Sequence, residues 1–78
     1  LRVKVVVWRE EGMYVAREIA TGVTSQGRTV EEALENLREA LELYLEEAPE
    51  ALERLEQLNQ DIVGVLEVEA KTPKAIRA

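Results

Sequence analysis

Sixteen carboxylates and ten Lys or Arg side chains carry nearly all the chemistry this 78-residue chain could offer. It has neither histidine nor cysteine. That removes thiolate and imidazole metal ligands and every Cys/His or Ser/His nucleophile–base pair. What is left is general acid/base work by paired carboxylates, or a hard-metal site built from oxygens. Both need carboxylates that converge in a cleft with shifted pKa values. Glu31, Glu35, Glu39, Glu42 and Glu46 instead recur at three- and four-residue spacing, which strings them along one solvated edge of a helix. Glu35 with Arg38, and Glu50 with Arg54, are spaced for surface pairs worth about 0.3 kcal/mol each. Gly22 and Gly27 are placed for turns, not for cradling a pyrophosphate. The residues thus point away from an enzyme, and no catalytic, cofactor-binding or metal-ligating position is expected.

The elements that would hold these side chains follow from periodicity. Arg2 to Arg9 alternates as a first strand, with Val3, Val5 and Val7 on one face and Lys4, Val6 and Trp8 on the other. Glu10-Glu11-Gly12 connects it to a second strand, Met13 to Ile19. Ala20-Thr21-Gly22 then turns the chain into a short edge strand, Val23 to Gln26. Gly27 supplies backbone freedom at the end of that run. Thr29 stands three residues before Glu32, a capping box in which the hydroxyl accepts from the N3 amide and the carboxylate reaches back to the cap amide. A first helix runs from Val30 to Glu47, its apolar stripe made of Val30, Leu34, Leu37, Leu41, Tyr44, Leu45 and Ala48, with Ala33 beside it. Leu43 projects from the polar face instead. Pro49 ends this helix and opens a second, shorter one over residues 50 to 58. Asn59-Gln60-Asp61 reads as a turn, and Ile62 to Ala70 as a fourth strand. The expectation is an α+β two-layer domain over residues 1–70. An antiparallel three-stranded meander is followed by helices on one face and a fourth strand parallel to the first. Residues 71–78 form a short basic tail.

Size and charge narrow the function classes. A chain this short buries only about 60% of its unfolded surface, so tight packing or oligomerisation must reinforce it. Residues 1–30 hold five basic side chains against three acidic, whereas residues 31–69 hold thirteen acidic side chains against Arg38 and Arg54 alone. An acidic body disfavours phosphate-dominated nucleic-acid binding and suits a basic partner. No apolar run approaches the roughly 20 residues of a membrane span. No basic-then-apolar leader is seen either, so a cytoplasmic protein with no membrane partner is expected. If helices cover the Val3/Val5/Val7 face, Val6 and Trp8 point to a bare face of the sheet. Val63 and Val65 alternate against Ile62, Leu66 and Val68 in the last strand. Val6, Trp8, Leu43, Val63 and Val65 are therefore the candidate protein-interface residues, Trp being the type most enriched at binding hot spots.

Two stretches carry a family resemblance. The hairpin Val5-Val6-Val7-Trp8-Arg9-Glu10-Glu11-Gly12-Met13-Tyr14-Val15-Ala16 is one of them. The junction formed by Gly22, Gln26-Gly27 and Thr29-Val30-Glu31-Glu32-Ala33, continuing into Leu34-Glu35-Asn36-Leu37, is the other. Together they resemble the HicB-type antitoxin family, over roughly residues 3 to 48. On this resemblance Gly22, Gln26, Gly27, Thr29 and Glu32 are structural positions, and the fold is a small, incomplete ribonuclease-H-like sheet. The resemblance implies a non-enzymatic protein that binds and neutralises a small basic mRNA-cleaving toxin of the HicA type, and that forms dimers or higher homo-oligomers. A stand-alone homo-oligomer of the same fold with no toxin partner is the alternative. Many family members add a C-terminal DNA-binding segment. Only Lys71 to Ala78 follow the last strand here, so DNA binding is not expected. Active ribonuclease-H-like enzymes place an Asp in the first strand, where this chain has Val5-Val6-Val7, so nuclease activity is not expected either.

Overall fold

The computed structural model describes residues 1–73. The part of the basic tail from 74 to 78 lies outside the described residues. Three strands, β1 (Val5–Glu10), β2 (Met13–Glu18) and β3 (Thr24–Gly27), are followed by two helices, α1 (Val30–Glu47) and α2 (Ala51–Asp61). The strands form one antiparallel meander in the order β1-β2-β3. The β1–β2 connection is a two-residue hairpin in which Glu11 (φ +50°) and Gly12 (φ +81°) both take positive φ, the twist-matched turn for a hairpin. Val7 stands opposite Ala16, and Trp8 opposite Val15.

Helix α1 begins where the capping box places it. The Glu32 amide donates to Thr29 Oγ1 at 3.0 Å. The reciprocal half differs from expectation: the Glu32 carboxylate accepts from the Arg28 amide at 2.8 Å, one residue before the cap. Gly27 also has another role than the one its position suggests. Its φ is not positive; instead, a Cβ there would stand 2.5 Å from the Ala33 nitrogen and 2.8 Å from the Glu32 carbonyl carbon. It is glycine because the helix rests directly on the strand end, not because the backbone needs freedom. The buried part of α1 is the seam Ala33, Leu37 and Leu41, with the small Ala33 at the contact with Gly27. Ala16, Ala33 and Leu37 make the core, with Val5, Val7, Tyr14 and Val23 packed around it. Val30 and Leu34, expected in the apolar stripe, remain exposed.

Helix α1 packs on β3 and β2, leaving the β1 side of the layer thinly covered. Helix α2 continues to Asp61, so Asn59-Gln60-Asp61 is helical and not a turn. The reason is tertiary: Asn59 is buried and tied to the sheet on two sides, as described below. Residues 62–73 carry no helix or strand, so the strand expected over Ile62 to Ala70 is not formed in the single chain. Val63, Val65, Leu66 and Val68 are 94, 71, 80 and 89% exposed, and among the described residues no strand pairs with them.

Candidate functional site

A buried polar cluster ties the two helical and strand layers together. Glu18 ends β2 and is fully buried. Its carboxylate accepts from the Ala20 amide (2.9 Å), the Thr21 amide and hydroxyl (both 2.6 Å), and Asn59 Nδ2 (2.9 Å). Burial pushes its pKa up, but the Thr21 and Asn59 side chains and the two turn amides outweigh this and hold it below the ordinary 4.5. Asn59 also donates to the Leu55 carbonyl, and its Oδ1 accepts from the Lys4 amide at 2.5 Å. Lys4 Nζ reaches the Asn59 carbonyl. The end of α2 is thereby pinned to the residue that precedes β1. Sequence reasoning missed this cluster. Glu18 continues the strand alternation as an inward position, and a carboxylate there demands several donors. That demand was the available signal.

The cluster closes on itself: among the described residues no buried side-chain polar atom lacks a partner. It is a structural hub with no free group aimed at a ligand. Also among the described residues, no three acidic side chains come together as a metal cluster. The glutamates of α1 instead line its exposed face, Glu31, Glu35, Glu39, Glu42 and Glu46 all facing solvent. Arg38 pairs with Glu35 through both carboxylate oxygens; that hydrogen bonding lowers the Glu35 pKa and raises that of Arg38. The Glu50–Arg54 pair expected from spacing is not closed among the described residues, because Glu50 stands at the cap of α2, outside its regular turns.

The interface candidates fall in three places. Val6 and Trp8 lie on the open face of the sheet and, with Arg17 and Ile19, border a shallow hollow there. Val15 shares this face and is only 6% exposed; Trp8, its register partner, is the large group available to cover it. Leu43 is exposed on α1 among the glutamates. Val63 and Val65 stand away from the sheet on the exposed segment after α2. The structure thus groups Val6 with Trp8 and keeps Val63, Val65 and Leu43 apart from them. The junction residues do come together: Asn36 Nδ2 donates to the Gln26 carbonyl at 2.8 Å, fastening α1 to β3 beside Gly27. Gly22 (φ +78°) closes the β2–β3 turn around Glu18.

Fold and surface together define a small α+β domain, a three-stranded antiparallel sheet with two helices. Among the described residues no helix is long and apolar enough to cross a membrane. The chain belongs to a family of unknown function, DUF7387, which it matches over residues 3–73. No curated protein and no solved structure matches it.

Proposed function

We propose that this is a non-enzymatic, antitoxin-like cytoplasmic protein that binds and neutralises a small basic mRNA-cleaving toxin of the HicA type. The observation that carries the reading is the charge layout of α1. Its exposed face presents Glu31, Glu35, Glu39, Glu42 and Glu46 with Arg38 as the single basic group, an arrangement that steers a basic protein and repels nucleic acid. Leu43 supplies apolar contact among those glutamates, and Val6 with Trp8 a second apolar patch on the opposite face of the sheet. The resemblance to HicB-type antitoxins in the hairpin and the capped junction supports the same reading. In that family fold residues 62–70 are a fourth strand parallel to β1, giving an incomplete ribonuclease-H-like sheet.

RNA cleavage by a small basic protein encoded beside this one, with and without this chain at equal concentration, tests the proposal. Cleavage should stop on mixing. The triple charge reversal Glu35→Lys, Glu39→Lys and Glu42→Lys should slow association by on the order of tenfold at low salt. Undiminished cleavage on mixing would refute the antitoxin role. A second reading, a stand-alone homo-oligomer with no toxin, is favoured by one observation: the extensive apolar surface that the single chain leaves uncovered after α2.

A further inference from the structure

The single chain does not bury what a monomer of its mass buries. Its accessible surface is 6626 Å², more than a third above the roughly 4,800 Å² expected for a folded monomer of this size. Its radius of gyration is 15.9 Å, against about 11.5 Å for a compact chain of this length. The segment after α2 contributes exposed apolar surface to this excess. Ile62, Leu66 and Val68 fall on one side of an alternating pattern, and Val63 and Val65 on the other. All but Ile62 are strongly exposed.

The same chain carries the complement of this arm. Among the described residues strand β1 pairs only with β2, so its outer edge offers an unused row of backbone donors and acceptors. Beside that edge, where α1 leans toward β2 and β3, lies a groove of about 380 Å³. Val3 and Val5 of the sheet side and Leu34, Leu37, Leu41 and Leu45 of α1 line it. Among the described residues nothing covers the groove or the arm, although Asn59 anchors the arm's root next to Lys4, the residue before β1. Helix α2 ends at Asp61 and Ile62 is extended (φ −79°, ψ 113°), and the segment that follows leaves the body exposed. A terminal element that its own body does not hold is the kind exchanged between identical chains.

We propose that the arm Ile62–Ala70 is donated to a second copy of this chain, where it adds a strand to the β1 edge. This rests on reading the segment as the fourth strand, and not on the antitoxin role. Ile62, Leu66 and Val68 fill the partner's groove against the α1 leucines, while Val63 and Val65 come beside Val6 and Trp8 on the open face. Reciprocal donation closes a two-fold dimer and leaves no free arm.

Sedimentation of the full chain at micromolar concentration tests this, with the double variant Leu66→Glu/Val68→Glu alongside. The wild type should sediment as a dimer of the 8.8 kDa chain. The variant should be a monomer that keeps the helical far-ultraviolet signal of α1 and α2, since Leu66 and Val68 are exposed in the single chain, and loses only the strand signal of the paired arm. Because the protein has no cysteine, the variant Leu34→Cys/Leu66→Cys then reports whose groove the arm enters. On oxidation it should give a covalent dimer that reduction dissolves. A monomeric wild type overturns the proposal, whether or not it binds a basic toxin, as does a variant that remains dimeric. An internal bridge within one chain overturns the exchange while preserving the fourth strand. A dimer that fails to inhibit the toxin sinks the antitoxin role alone.

Discussion

Replacing Glu18 with Gln tests the hub that joins α2 to the sheet. The carboxylate accepts four hydrogen bonds, from Ala20, Thr21 (twice) and Asn59, in a fully buried position. The amide keeps one oxygen and places an NH₂ against donors that previously faced an acceptor. The turn amides lie near the surface and recover part of their loss from water, whereas Asn59 is buried and cannot. Hydrogen bonds to charged groups are worth about 1.5–3 kcal/mol, so Glu18→Gln should cost about 2 kcal/mol at pH 7. That is a large share of the about 4–12 kcal/mol expected for a domain of this length. The same reasoning fixes the pH dependence. The folded-state pKa of Glu18 lies below the ordinary 4.5, so its stabilisation is present above the unfolded value and is lost as pH falls through the folded one. The gap between wild type and variant should therefore narrow as pH falls below about 4.5. Urea unfolding at fixed protein concentration, run at pH 7 and pH 3, reads both quantities. Every other carboxylate is common to the two proteins, so the difference isolates Glu18. A gap under about 0.5 kcal/mol at pH 7, or one that does not shrink at pH 3, would refute the reasoning.

Other perturbations separate packing from surface roles. Gly27→Ala should destabilise by about 2–3 kcal/mol, because the new methyl meets the α1 backbone, which cannot rotate aside; an unchanged urea midpoint would refute the close-packing role. Trp8→Ala uncovers Val15 and should lower stability by about 1–2 kcal/mol. It should also shift the sedimenting species toward monomer, since Val63 and Val65 of the donated arm come beside Trp8 on the open face.

The hairpin, the third strand, the start of α1 and its length were legible in the sequence because each rests on local rules. Alternation marks the strands, positive-φ tolerance at Gly12 closes the hairpin, and Thr29 with Glu32 caps the helix. The interface candidates were legible only as residues: alternation identified Val6, Trp8, Val63 and Val65, but nothing local says whether two strands meet. The hub was missed because its members are far apart in sequence, with Glu18 and Lys4 in the first quarter and Asn59 near residue 60.

The sequence by itself determined element identity, chain polarity and the acidic face of α1, since these depend on neighbours within about four residues along the chain. Tertiary structure alone decided the rest. Asn59 became helical because a buried carboxylate needed its donor. Gly27 became a contact point because α1 rests on the strand end. Residues 62–70 alternate as a strand does, yet in the single chain they stand exposed and without a partner strand among the described residues. A strand is completed by its neighbour, and that neighbour is outside the reach of any local pattern.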